Sequence, residues 1–472
     1  NGVLTRIESN DNRVITLQYA TRSGATFPNY ADAFHGKHLV SVSANGRTWT
    51  YDYDGGPTGT FSYMAGPGRL LEVTLPDSTS WEYDLKNTTG SYTGYPCHQT
   101  QILNEVSTVT HPNGTVGEFR FKKILNGRNN VPSAYEVAPN PALTECQQYK
   151  VPRYRVSRAV REKKLIVPRA GTYTWTYVYE QDSGYRNYPN APTSLDLKKR
   201  TVTDPTGAVR RLYYDRRFGS QTEDLLIRQE VGTTSQTLRE TNYTYETLPS
   251  LGDTTVRYDY DNPRTSRRPR KKIVTEQDGT TFTTEFSYQT NLNSTSYSYG
   301  QATATTEYST LQSQQRTTTT TLVHKRDKWI LSLPEVITRN GKQFENYTYN
   351  AEGLRTATTT FGGSQVSYTY HSSAGQAGLL QSRTDALGRT ASFTNYTRGI
   401  AQSITLPDSN TVSRVVDNNG WVTSATNSKG VTIGRSYDTM GRLTSVNYPS
   451  NWADKSISYS SLGNGLIQTI TL

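Results

Sequence analysis

Tyr437-Asp438-Thr439-Met440-Gly441-Arg442-Leu443-Thr444-Ser445-Val446 is the stretch whose reading decides the fold. Its glycine belongs to a series, Gly378, Gly399, Gly420, Gly441 and Gly463, spaced by 21, 21, 21 and 22 residues. Internal repetition at a fixed period of this size marks an array of identical small units. Tyr349-Asn350-Ala351-Glu352-Gly353-Leu354 is a second copy, and Gly68-Arg69-Leu70-Leu71-Glu72-Val73 is one that starts later in the unit.

A second turn signal follows each glycine after about nine or ten residues. Asn45-Gly46 follows Gly36, Gly388 follows Gly378 and Gly430 follows Gly420. Asn-Gly and Asp-Gly between alternating segments are the strongest short-range hairpin signals. The segments between turns alternate with period two. Tyr173, Trp175, Tyr177 and Tyr179 form one stripe, and Thr172, Thr174, Thr176 and Val178 the other. β-branched and aromatic residues suit a pleated surface. No stretch keeps a 3.6-residue apolar period over three turns, so the fold class is all-β.

Of the 472 residues only 33% are hydrophobic, while Tyr alone numbers 34. Two stacked sheets need an apolar inner face, which this composition supplies poorly. A propeller blade needs four strands, and a 21-residue unit holds two. A sheet of more than about ten strands curls, splits or closes. The expected architecture is therefore one continuous spiral strip of β-hairpins, on the order of 40 strands, each unit pairing with its neighbours as in other solenoids. Tyr–Tyr, Tyr–Thr and Thr–Thr pairs across strands are expected to support it. The register is clear over 1–84 and 201–472. Residues 85–200 read as degenerate repeats with an irregular basic insertion; the stretch 85–170 is either an insertion that plugs or lines the enclosed space or simply degenerate repeats.

The Tyr437-Asp438-x-x-Gly441-Arg442-Leu443 string, with Gly420, Gly399 and Gly378 in register, resembles the RHS/YD-repeat family. That family includes bacterial Rhs and WapA-like polymorphic toxins, the C component of insecticidal toxin complexes and the teneurin barrel. The resemblance implies a hollow β-cocoon in a secreted or cell-surface bacterial protein. Its partner would be an encapsulated toxin or other polypeptide cargo, supplied by further segments of the same chain or separately. The family's core usually ends in an Asp-Pro-x-Gly-Leu motif beside an autoproteolytic site. Here the nearest string is Asp204-Pro205-Thr206-Gly207-Ala208, mid-chain and before a good strand, which reads as an ordinary repeat turn. The chain opens at Asn1 and stops within the pattern at Leu472, and reads as a piece of something longer.

No enzyme is expected: no serine elbow, phosphate loop or other local catalytic string is present. No cofactor or metal is expected either. His35 and His38 lack further ligands nearby, and Asp52-Tyr53-Asp54-Gly55-Gly56 lacks the closing Glu of a calcium loop. Basic runs at 150–169 and 264–272 suit solvated or edge strands. Without stacking aromatics aimed at one groove, nucleic acid is not the expected partner. No apolar run approaches the ~18 residues of a membrane span. Cys97 and Cys146 form a possible disulfide. The other reading of exposed Tyr and Trp is a cell-surface adhesin or glycan-binding repeat protein.

Overall fold

The computed structural model describes residues 3–9, 13–21, 37–54, 69–86, 101–129, 154–180, 196–218, 220–246, 268–291, 294, 297–450, 452–462 and 465–471. Cys97, Cys146, His35 and Gly463 lie outside them.

The described residues form 31 strands, β1 (Arg6–Glu8) to β31 (Gly465–Thr471), in one antiparallel sheet. Each strand pairs with the one before it and the one after it, from β1 with β2 to β30 with β31. The sheet is an open meander, since β1 and β31 are not partners. Strands are numbered in chain order. Those used below include β2 (Val14–Thr21), β3 (Lys37–Ala44), β4 (Arg47–Tyr53), β5 (Leu70–Thr74), β6 (Ser80–Asp84), β17 (Ala304–Ser309), β18 (Gln312–Lys325) and β19 (Ile330–Arg339). Toward the C-terminus come β23 (Leu380–Thr384), β24 (Thr390–Thr397), β26 (Thr411–Val416), β27 (Val422–Thr426), β28 (Thr432–Tyr437), β29 (Leu443–Asn447) and β30 (Lys455–Leu462). Strands from the 85–200 stretch, among them Gln101–Thr110 and Gly171–Glu180, belong to the same ribbon.

Fewer strands are present among the described residues than the 21-residue period alone implies. The period holds where both connections are tight, as in 377–447. Elsewhere long connections lengthen the unit. Turns that follow even-numbered strands lie along one edge of the ribbon, and turns that follow odd-numbered strands along the other. The long connections, such as 22–36, 128–153 and 246–268, all follow even strands, whereas 45–46, 204–208 and 385–389 follow odd ones.

Little of the ribbon is buried. The deeply buried apolar side chains are few, with Leu322, Val209 and Ile124 the most enclosed. Backbone pairing therefore satisfies the main chain, and side chains reinforce it across strands. Thr306–Thr317, Thr384–Thr390 and Thr426–Thr432 join hydroxyl to hydroxyl. One set of tyrosines pairs with ions: Arg228 sits 4.1 Å over Tyr213, whose hydroxyl donates to Glu230 at 3.1 Å. Tyr347 donates to Glu345; burial and then that carboxylate push its pKa up to about 12.

A second tyrosine set binds backbone. Tyr437, near the tyrosine-bearing end of β28, donates its hydroxyl to the Val422 carbonyl at the start of β27, at 3.0 Å. Tyr459 reaches Leu443, Tyr396 reaches Leu380, Tyr370 reaches Arg355 and Tyr245 reaches Leu226 in the same way. All of these sit on even strands, so the edge they share is called the tyrosine edge. Partial burial raises the pKa of Tyr396, Tyr370 and Tyr245, which keeps the donating proton in place.

Tyr396→Phe should cost about 1 kcal/mol, the net worth of one such bond. Chemical denaturation would read the loss, and amide exchange should quicken in β23 and β24 but not in distant strands, because each unit touches only its neighbours.

Candidate functional site: the tyrosine–aspartate turns and the seam

Asp438 explains why its motif has this spelling. One carboxylate oxygen, Oδ1, accepts the backbone N–H of Met440 and of Arg442, both at 2.9 Å. The other, Oδ2, accepts Nε of Arg442 at 2.6 Å. The Gly441 N–H donates to the Asp438 carbonyl and the Asp438 N–H to the Arg442 carbonyl. This closes the hairpin with Gly441 at φ +83°, in the left-handed region that glycine fills without penalty. Burial alone would raise the pKa of Asp438, but the Arg442 backbone and guanidinium hold it below its ordinary value. Leu443 supplies the carbonyl that Tyr459 uses. Gly420, Gly399 and Gly378 have the same positive φ.

The same clasp closes connections that are not tight. Arg69 donates Nε and NH2 to Asp54 at 3.1 and 2.9 Å, and the Asp54 N–H reaches the Arg69 carbonyl. Tyr53-Asp54 and Gly68-Arg69-Leu70 are thus two halves of one motif parted by an insertion, and Asp54 serves a turn. Glu246 and Arg268 repeat the arrangement at 2.9 and 3.0 Å, with Tyr245 in the tyrosine position. Since closing a longer loop costs only slowly more, a clasp at its mouth keeps the strands in register whatever lies between. Sequence reading missed these split motifs. Their signal is a Tyr-Asp or Tyr-Glu without its Gly-Arg, followed later by a lone Arg-Leu or Arg-Pro.

Basic residues of the two runs are engaged in the sheet. Arg268 lies in its clasp and 4.3 Å over Tyr288, and Lys271 pairs with Glu285 at 2.9 Å. Lys163 sits 4.4 Å over Trp175, and Glu162 pairs with Arg120 and Lys164. Asp204 accepts the N–H groups of Thr206 and Ala208 in a repeat turn. His38 packs against Tyr53 with ring centres 5.1 Å apart. Among the described residues no group of His, Cys, Asp and Glu could hold a metal ion, and no helix is long and apolar enough to cross a membrane.

Asp215 and Arg216 are fully buried where two long connections begin. Burial would raise the Asp215 pKa, yet Arg217, Thr222 and Ser220 hold it low. Beside it Arg128 pairs with Glu223 at 2.7 Å, and the Asn129 N–H donates to the Arg216 carbonyl. This ionic knot ties neighbouring tyrosine-edge connections together.

Two contacts join distant parts of the ribbon. The Arg442 guanidinium approaches Asp77 at 3.5 Å, although 365 residues separate them. Arg47 lies 5.4 Å from the centre of the Trp421 ring. Asp77 is in the β5–β6 turn and Arg442 in the β28–β29 turn, 23 strands later; Arg47 opens β4 at the β3–β4 turn and Trp421 is in the β26–β27 turn, again 23 strands later. Asp77 and Arg47 are on the edge opposite the tyrosines, whereas Trp421 and Arg442 are on the tyrosine edge. Opposite edges meet, as they must when a ribbon spirals onto itself. At about 4.8 Å per strand, 23 strands make a circuit of roughly 110 Å, about 35 Å across.

The RHS Repeat family matches residues 416–451, which span the Trp421 turn and the Tyr437–Leu443 motif. Residues 416–451 therefore carry an RHS repeat. No curated protein matches it. Among solved structures, the TcdB2-TccC3-Cdc42 crystal structure is 9% identical with a TM-score of 0.41, covering 99% of this chain and 25% of that one. TcdB2-TccC3 without its hypervariable C-terminal region gives 9%, 0.42, 94% and 31%. The Photorhabdus luminescens Tc holotoxin pore gives 10%, 0.34, 97% and 24%. The chain spans about a quarter to a third of those chains' length.

Gly441→Ala and Gly388→Ala separate turn from seam. Both glycines have positive φ, so each substitution should cost about 1–2 kcal/mol in denaturation. A Cβ at Gly388 meets nothing within 4 Å, but one at Gly441 meets Trp421 at 3.0 Å. Gly441→Ala should therefore cost more and alone shift tryptophan fluorescence. For Tyr347, a near-ultraviolet difference titration of wild type against Tyr347→Phe should show one phenol ionising near pH 12. Because its folded pKa lies above the ordinary 10.0, the stability it contributes is complete below pH 10 and lost between there and about 12.

Proposed function

We propose that this RHS-repeat protein is a structural, non-enzymatic shell whose spiral encloses a polypeptide cargo, with a toxin as the cargo class. The seam carries this reading: a ribbon whose edges meet after 23 strands surrounds a space instead of filling one. The wall is polar on both faces, so a water-filled interior needs no apolar lining. Tyr, Arg and Glu side chains along the ribbon offer hydrogen bonds and flat rings to many peptide sequences. The chemistry of the turns supports a structural role, because their carboxylates are occupied by backbone N–H groups and arginines. Secretion or display at a bacterial surface fits such a container.

Cryo-electron microscopy of the full-length gene product tests the proposal. The expected image is a hollow wall with additional polypeptide density inside it. An empty lumen in the purified product, or a solid particle packed around apolar centres, overturns it.

A further inference from the structure

The two faces of the ribbon carry charge differently between β11 (Leu197–Thr203) and β18. The strands between are β12 (Val209–Asp215), β13 (Leu226–Gly232), β14 (Thr237–Tyr245), β15 (Pro269–Glu276), β16 (Thr281–Ser287) and β17. Residues paired across a ladder point the same way, and alternate residues along a strand point to opposite faces. On one face Lys199 reaches Glu180 at 3.0 Å and Lys271 reaches Glu285 at 2.9 Å. Arg228 and Arg211 share Glu230 there, at 3.4 and 3.8 Å. These four cations are matched within the sheet.

The other face presents Lys198, Arg200, Arg210, Arg239, Lys272 and Arg316 against Glu276 and Glu307. Glu276 takes Arg239 at 2.8 Å, Glu307 takes Arg316 at 2.6 Å, and Lys198 pairs with Asp224 in the connection after β12. Arg210 and Lys272 have no acidic partner among the described residues. Both line one groove of about 470 Å³ that crosses β12 to β15. Gln229, Thr241 and Val274 are cross-strand neighbours along its floor, where Thr241 is only 5% exposed. Arg210 stands on one side with Val231, and Lys272 on the other beside Tyr243. A second groove of the same volume, around Phe282, Gln314 and Arg316, follows on the same face over β16–β18.

We propose that the β12–β15 groove seats an extended polypeptide segment rich in Asp and Glu, whose carboxylates pair with Arg210 and Lys272. Charge complementarity sets the sign of the occupant: one face is neutralised by its own glutamates, while this one keeps two cations over a groove. Lys272 lies three strands across and four residues along from Arg210, about 20 Å between backbones. Two acids about six residues apart on an extended chain span that distance. Val231, Val274 and the 40% exposed Leu238 give aliphatic side chains of the segment a place to pack. A nucleic acid fits less well, because base stacking needs free ring faces. On this face Lys163 already lies 4.4 Å over Trp175, and Arg200 lies 5.0 Å over Tyr179. The inference stands apart from the shell reading, since it needs this face and not what the ribbon encloses.

Fluorescence anisotropy of the purified protein tests this with three labelled probes: a short peptide alternating glutamate with valine, the same peptide with lysine for glutamate, and oligouridylate. The acidic peptide should bind and the basic one should not. Arg210→Glu combined with Lys272→Glu should weaken binding about tenfold or more, and raised salt should weaken it too. Arg210→Gln and Lys272→Gln remove charge without adding any; each should lower affinity by a smaller factor while circular dichroism keeps the wild-type β signal. Absence of binding by the acidic peptide overturns the proposal. So does binding that survives the charge reversal, which places the peptide elsewhere, or equal or tighter binding of oligouridylate, which makes the face a general polyanion or nucleic-acid surface. None of these results alters the hollow wall that microscopy tests.

Discussion

A carboxylate that accepts the backbone N–H groups two and four residues ahead of it holds the ribbon in register. With so little apolar burial, nothing packs behind a strand to correct a slip, and a one-residue slip would turn every side chain to the other face. Asp438, Asp385 and Asp417 each fix the turn on their own N–H donors. Where Arg442 or Arg389 follows, the guanidinium closes the other carboxylate oxygen. Register is thus set locally at each such turn, and the strands between need only be compatible with it.

That local control explains where the chain tolerates length. A clasp such as Asp54 with Arg69, or Glu246 with Arg268, restores tight-turn geometry after a long detour. Behind the Glu246–Arg268 clasp, Tyr245 then bridges to Leu226 on the neighbouring strand. The opposite edge carries no such tyrosine and keeps its connections short. Insertions gather on the rim where such a tyrosine stands behind the clasp.

The all-β class, the two-strand unit and the spiral were legible in the sequence because glycine and Tyr-Asp recur at a period set by local geometry. Tyr437, Asp438, Gly441 and Arg442 lie within six consecutive residues, and their roles in the turn depend on nothing farther away than the preceding strand. The split clasps were harder to see, since Asp54 and Arg69 look like separate features until the strands they close are known to be neighbours. The seam was invisible. Arg47, Asp77 and Trp421 are ordinary residues for their turns, and only the curvature summed over 23 strands brings Arg47 to Trp421 and Asp77 to Arg442. Curvature accumulates from small twists between strands, and no single residue encodes it.

The seam's chemistry also sets how firmly the spiral is shut. A partly exposed ion pair such as Asp77 with Arg442 contributes about 1 kcal/mol or less, and an arginine over a ring a similar amount. Backbone ladders run between every pair of consecutive strands, but none crosses the seam among the described residues. Strength therefore lies along the ribbon and weakness between its windings. A wall built this way can part along the seam without losing a strand, because the curvature that brings the windings back together is stored in the ribbon itself. The side chains at the seam choose which turns face each other; they do not have to hold the wall closed.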